Sequence, residues 1–230
     1  MGKKTAQMVE HEQCFLCLHS LPEWQEAIVH HAEIRSFKKG QAIFEEGDTV
    51  GGYYFLHAGS VKVHKQWGEE KELIIKIGRH GDVLGHRGMG KNHFYPVSAT
   101  ALEAVTACFV SATFLQTTLR VNNELTYQLM LYYANELQEA EEGMRNLIHM
   151  DVKGRIAAML LKVESLFGRD AEGAINNVLS RQDMASFAGT IYETLFKVLN
   201  ELQKEGHVRL SGKKILITAR DALKLLSSSS

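Results

Sequence analysis

The sequence predicts an α+β chain: an N-terminal β jelly roll, a long helix and a C-terminal winged helix-turn-helix. Three observations carry this. Glycines crowd one region between short β-branched and aromatic runs, with 11 of the 19 falling between Gly40 and Gly90. A proline-free apolar stripe then runs for more than 20 residues. Finally, Leu179 to Ile217 alternates helix caps, a glycine turn and a short hairpin pattern. At 230 residues, two domains are the natural expectation.

The β domain comes first. Gly40, Gly47-Asp48, Gly51-Gly52, Gly59, Gly68 and Gly81-Asp82 bracket four runs: Gln41–Phe44, Tyr53–Leu56, Val61–His64 and Leu73–Ile77. Short strands separated by turn signals at this spacing predict a sandwich or jelly roll. Further strands are expected over Pro96–Ala101 and Ala104–Val110. The long helix is expected over Asn122 to Met150. Leu125, Leu129, Tyr133, Leu137, Ala140, Met144 and Leu147 recur on it at spacings of three and four. Such a stripe suits a two-stranded coiled coil, so these residues are read as a homodimer interface. A helix lying along its own β domain is the alternative. Asp151 opens a further helix with Ile156, Leu160, Val163 and Phe167 inward, and the polar loop Gly168–Asn177 follows.

The C-terminal head follows from its caps. Ser180 with Asp183, and Thr190 with Glu193, have the spacing of capping boxes, and the second pair is the better match because the box prefers Glu. Gly189 between them suits a tight turn. Val208–Leu210 and Ile215–Ile217 flank Ser211-Gly212-Lys213-Lys214 as a hairpin. In a winged helix-turn-helix the second helix enters the DNA major groove. Here Leu195, Val198, Leu199 and Leu202 form its inward face, leaving Tyr192, Glu193, Phe196, Lys197 and Asn200 outward. Glu can accept from cytosine N4, Lys can donate to guanine, and an aromatic ring can press on a thymine methyl. Ser180, Arg181, Gln182, Thr190 and Lys213 complete the expected DNA-binding set. An amphipathic helix with a solvated face, or one serving protein contacts, is the plainer reading.

Charge supports the nucleic-acid reading once the chain is divided. The whole carries −1, but residues 1–149 hold 14 Lys and Arg against 18 Asp and Glu (net −4). Residues 150–230 hold 12 against 9 (net +3). No run approaches a membrane span, and Met1 to Glu12 has no apolar signal core, so a cytoplasmic location without membrane contact is expected. Catalysis finds no footing. Glu45-Glu46 and Glu69-Glu70 are adjacent pairs in apparent turns, and Gly88-Met89-Gly90-Lys91 is too short for a phosphate loop and precedes no helix.

The order of elements, with Lys39-Gly40-Gln41, Glu46-Gly47-Asp48, Gly59-Ser60-Val61 and Gly81-Asp82-Val83-Leu84-Gly85, resembles the Crp/Fnr superfamily of transcription regulators. Asp151-Val152-Lys153-Gly154-Arg155-Ile156, Ser180-Arg181-Gln182-Asp183 and Tyr192-Glu193-Thr194 continue the resemblance. It spans about Leu21 to Leu226. It implies an N-terminal segment (1–20), a cyclic-nucleotide-binding-like effector domain (21–118), a dimerisation helix (119–149) and a DNA-binding winged helix-turn-helix (150–226). It also implies double-stranded DNA with a roughly palindromic operator, and RNA polymerase, as partners.

The resemblance further points to an effector pocket at Gly85, His86, Arg87, Val97, Ser98 and Ala140. Cyclic-AMP-binding members pair Gly-Glu with Arg-Ser, whereas here His86 follows Gly85 and Val97 precedes Ser98. Ala140 and Glu141 stand where the adenine is met by hydroxyl side chains. A phosphate without its guanidinium would be desolvated at a cost, so cyclic AMP is not expected. The oxygen-sensing branch holds an iron–sulfur cluster on four cysteines. Cys108 falls at its β-domain position and Cys14-x-x-Cys17 near its N-terminal segment, but the fourth ligand is missing, with only His11 or His19 nearby. A Cys14–Cys17 redox pair, or three cysteines that are simply buried, are the alternatives. Haem or metal sensing through histidines such as His86, His93 or His30-His31 lacks ligand spacing. The effector, an organic ligand among the options, stays open, as does a nucleotide- or redox-sensing module acting through protein contacts without DNA.

Overall fold

The structure is a computed structural model that describes residues 14–68 and 71–228. His11, the Met1–Glu12 segment and Glu69-Glu70 lie outside the described residues. The chain forms two compact units, one of residues 1–70 with 75–137, the other of 71–74 with 138–230.

In the first unit, α1 (Phe15–Leu18), a 3-10 turn (Pro22–Trp24) and α2 (Gln25–His31) precede β1 (Glu33–Phe37) and β2 (Ala42–Phe44). There follow β3 (Gly52–Ala58), β4 (Val61–Trp67), β5 (Lys71–Gly78), β6 (Val83–Leu84), a 3-10 turn (His86–Met89), β7 (Ser98–Ala101) and β8 (Val105–Ser111). The strands make two four-stranded sheets, ordered β1-β8-β3-β6 and β2-β7-β4-β5. β3 is buried on both faces, and strand alternation divides its side chains between two cores. Tyr54 and Leu56 join Phe44, Val61, Val63 and Val97 in one cluster. Tyr53 and Phe55 join Cys14, Phe15, Cys108 and Val110 in the other. A double-sided burial explains why this strand reads Tyr-Tyr-Phe-Leu and not as an alternating pattern.

Helices close the second cluster. Ser111 caps α3 (Ala112–Val121), its hydroxyl accepting from the Phe114 amide at 3.2 Å. Asn122 then accepts from the Leu125 amide at 3.1 Å at the start of α4 (Asn123–His149). This corrects the expected dimer stripe. Leu125 and Leu129 are buried in the cluster with Cys14, Tyr53 and Phe55, and Tyr133 is half-buried with its hydroxyl donating to the His86 carbonyl. The first turns of the stripe therefore face the protein's own β domain. A second phase is exposed: Tyr127, Met130, Ala134, Leu137, Glu141, Met144 and Ile148. Their spacing alternates three and four throughout. Only Leu137 and Met144 belong to both phases.

The second unit continues with α5 (Val152–Phe167), α6 (Arg181–Phe187), α7 (Tyr192–Lys204), β9 (Val208–Ser211), β10 (Lys214–Ile217) and α8 (Arg220–Ser228). Asp151 caps α5, its carboxylate accepting from the Gly154 amide at 2.6 Å. Ile156, Leu160 and Val163 are fully buried, while Phe167 is half-buried. β9 and β10 pair as the expected hairpin. The sequence reading missed α8, whose Leu223 is buried and whose remaining length is short and serine-ended. Among the described residues, no helix is long and apolar enough to cross a membrane.

Candidate nucleic-acid interface and effector cavity

The helix-turn-helix is built by one capping box and one arginine staple. Ser180 and Asp183 form the reciprocal capping box of α6, each backbone amide donating to the other's side chain at 3.0 Å. The Thr190–Glu193 box, the stronger candidate by sequence, does not form. α7 starts one residue later, on Ile191, with no side chain capping it. The Thr190 amide instead donates to the Ala185 carbonyl at 2.9 Å, which keeps Thr190 in the turn and moves Glu193 out of capping register. Gly189 makes that turn at φ +63°, and a Cβ there would lie 2.5 Å from Leu147. Leu147, expected in the dimer face, thus packs at the turn. Arg155 fixes it from α5, donating to the carbonyls of Met150 (2.9 Å), Ala188 (3.1 Å) and Gly189 (3.3 Å). Sequence reasoning missed Arg155 as a positioning residue, although a lone guanidinium in the apolar run of α5 was a signal.

α7 then divides as its periodicity predicts. Leu195, Val198, Leu199 and Leu202 are buried. Tyr192, Glu193, Phe196 and Lys197 are exposed, with the Tyr192 and Phe196 rings near-parallel at 6.5 Å. Asn200 is half-buried and donates to the Phe196 carbonyl at 2.9 Å, so its amide nitrogen is engaged within the helix. Ser180, Gln182 and Lys213 are exposed and Thr190 is half-buried. Arg181, also in the expected DNA-binding set, is engaged within the protein. It is half-buried, donates weakly to the Lys213 carbonyl at 3.4 Å, and is desolvated enough to lower its pKa. It joins α6 to the wing turn.

The effector domain holds a small cavity of about 10 Å³. Gly85, His86, Arg87 and Val97 are among the residues that line it. Gly85 sits at φ +81°, where a Cβ would come within 2.9 Å of the Tyr95 ring. Two expected residues are corrected. Ser98 turns away, its hydroxyl accepting from the Glu46 amide at 2.9 Å. Ala140 belongs to the stretch of α4 counted with the second unit and is not among the lining residues. The lining instead includes Lys76 and Glu136, neither singled out by sequence. Glu136 is buried although it stands on a long polar helix. Lys76 pairs with both Asp82 (2.7 Å) and Glu136, and Arg87 reaches Glu136 at 3.0 Å. Burial outweighs the Glu136 charge and pushes His86 down to about 4, so its imidazole is neutral. Its Nδ1 lies 2.8 Å from the Val83 carbonyl, which places the ring proton there.

Among the described residues Cys14, Cys17 and Cys108 form no disulfide, and all three are buried in one core. Hydrogen bonds from Cys108 and Cys17 favour the Cys14 thiolate, while its bond to Cys14 and burial push the Cys108 thiol up. The sequence placed these three near one another only through the resemblance, and the fold brings them together. His19, the alternative fourth ligand, is tilted against the Phe15 ring at 4.4 Å. Among the described residues, no group of three or more His, Cys, Asp or Glu is arranged to hold a metal ion.

Two jelly-roll sheets with a cavity, followed by a winged helix-turn-helix whose second helix has an exposed face, are the architecture of a sensor domain with a DNA-binding domain. Comparison with known proteins agrees in both parts. Residues 34–122 match the cyclic nucleotide-binding domain, and residues 154–226 match the Crp-like helix-turn-helix domain. A CRP-like cAMP-activated global transcriptional regulator of Mycobacterium tuberculosis is 28% identical over 81% of this chain and 84% of its own. The anaerobic regulatory protein of Bacillus subtilis is 26% identical over 83% and 82%. The structure of FixK2 from Bradyrhizobium japonicum shares the fold with a TM-score of 0.75 at 23% identity, covering 86% of this chain and 98% of that one. The chain belongs to the Crp/Fnr family of transcription regulators. It is a DNA-binding regulator with an effector-sensing domain, and not an enzyme.

Proposed function

We propose that the protein acts as a homodimer that places two copies of α7 in successive major grooves of a roughly palindromic operator, about 34 Å apart. The observation that carries this is the exposed face of α7, where Tyr192, Glu193, Phe196 and Lys197 stand outward over a fully buried apolar face. Glu193 and Lys197 supply hydrogen-bonding groups for base edges, and the two rings supply an apolar surface for thymine methyls. Ser180, Gln182 and Lys213 are then the phosphate contacts. The dimer seam is the exposed heptad phase from Tyr127 to Ile148, whose spacing is that of a two-stranded coiled coil. RNA polymerase is the expected protein partner, and the cytoplasm the expected location.

The effector is not cyclic AMP in this reading. Although one relative is described as cAMP-activated, a buried, apolar Val97 stands where the resemblance expects the arginine of cyclic-AMP-binding members, and the cavity has room for about one water. The test is selection of DNA from a random pool, followed by gel shifts with and without cyclic AMP. Selective, palindromic sites bound equally well in both conditions are expected. A pool that yields no preferred sequence under any redox condition would favour a module acting through protein contacts alone.

A thiol-dependent signal is the second reading, favoured by the convergence of Cys14, Cys17 and Cys108. An absorbance spectrum and metal analysis of protein purified without oxygen, together with thiol titration, distinguish a cluster, a haem, a disulfide pair and three inert cysteines.

A further inference from the structure

A carboxylate in the middle of a long, polar helix is ordinarily solvated. Glu136 is instead held in the wall of the effector cavity with its side chain 10% exposed. Lys76 meets one of its oxygens, and Arg87 Nη2 meets the other at 3.0 Å. Neighbouring Tyr132 joins the same cluster, its hydroxyl lying 3.0 Å from Lys76 Nζ and accepting from the Val83 amide at 3.2 Å. The charges balance only with Glu136 present. Lys76 and Arg87 bring two positive charges, Asp82 and Glu136 two negative ones, and His86 is neutral. Without Glu136 the pocket would hold a net single positive charge beside apolar Phe44, Val63 and Val97. Arg87 also keeps a buried Nε without a partner, so its guanidinium has a second donor for an anion.

The geometry points to Glu136 as a tethered anion that occupies the cation site of the effector cavity, so that a small external monoanion, carboxylate or phosphate, can bind there only by displacing it. This goes beyond the proposed operator reading and does not depend on it. Burying two cations against the single carboxylate of Asp82 is costly, and the helix supplies the second counter-charge as a tethered group that no association entropy opposes. The space that remains beside Glu136, about 10 Å³, holds no more than a water, so an anion fits only where the Glu136 carboxylate leaves.

Thermal melting of the full-length protein tests this, with sodium acetate or inorganic phosphate compared against sodium chloride at equal ionic strength. The wild-type melting temperature is expected to respond to acetate and phosphate no more than to chloride. Glu136→Ala should melt lower in chloride and regain about 2–4 °C in saturating acetate or phosphate. Glu136→Gln, which keeps the volume and removes the charge, should also melt lower in chloride but gain less from either anion than Glu136→Ala, because the amide must first be displaced. If neither variant folds in chloride, recovery of the folded circular dichroism spectrum in acetate or phosphate becomes the expected result. A response confined to acetate identifies a carboxylate site, and one confined to phosphate a phosphate site, both within the proposal. It is overturned if the wild type is stabilised as much as the variants, or if the variants gain nothing from either anion.

Discussion

Lys197 and Phe196 are neighbours on the exposed side of α7, yet they would read DNA through different forces. In the proposed complex Lys197 would donate hydrogen bonds to guanine, so Lys197→Ala should weaken binding to the selected operator by about 1–3 kcal/mol and relax the preference at one position. Gel-shift affinities on the operator and on single-base variants measure this, and unchanged affinity removes Lys197 from the base-reading set. Phe196 has no polar atom to offer and gains from burying a methyl group. Replacing thymine by deoxyuracil at the contacted step should therefore cost about 0.5–1 kcal/mol per methyl in the wild type. In Phe196→Ala the same replacement should cost nothing, which sets the effect on that ring and not on DNA stiffness. In the effector domain, burial lowers His86 from 6.5 to about 4, with Glu136, Arg87, Lys76, Tyr132 and Tyr133 around it. A folded-state value below the unfolded one means protonation favours the unfolded chain. That contribution is complete above pH 6.5 and is lost as pH falls towards 4, by about 3 kcal/mol at most. His86→Asn, which keeps a donor for the Val83 carbonyl, should flatten this part of the stability curve in denaturant titrations.

At the scale of elements, the long helix carries the clearest lesson about what a sequence can show. Its existence, its limits within a residue or two and its 3.6-residue apolar recurrence were all legible, because they follow from local chemistry. The side that meets the β domain was not. Two apolar phases overlap on α4, and only tertiary packing decides that Leu125 and Leu129 are core while Tyr127, Met130, Leu137 and Ile148 stay exposed. The capping of α7 failed for a similar reason. Thr190 has the right partner at the right spacing, but the Gly189 turn draws its amide to Ala185. Glu136 was invisible because a glutamate on a helix ordinarily faces water. The two phases make separable predictions. Leu125→Ala should cost about 2–5 kcal/mol of folding stability. Leu137→Asp should leave folding intact and weaken the dimer, which sedimentation equilibrium reports. Glu141 interrupts the exposed heptad, and in a symmetric pair it would face its own copy. Glu141→Leu should therefore tighten the dimer, and an unaltered dimer constant would move the seam to another face.

For the whole molecule, the charge distribution and the symmetry of the proposed dimer have to act together. The overall charge of −1 gives the protein little general attraction for DNA, and the excess of +3 resides in residues 150–230, around the reading head. Phosphate attraction of that size is modest, so affinity must come from two heads bound at once on one duplex. Two heads fixed by one seam can do this only at a single spacing. Inserting five base pairs between the half-sites turns one of them to the opposite side of the helix, leaving one head to bind. The expected loss is about 10²–10⁴-fold, the range by which joining two sites exceeds one. Inserting ten base pairs restores the facing but lengthens the span by about 34 Å, and heads held by a packed helix seam should not recover the affinity. The Leu137→Asp protein should bind weakly to all three duplexes and without regard to spacing. Spacing-independent affinity in the wild type would mean that the heads are not held by the helix seam, and the operator would then not need to be a palindrome.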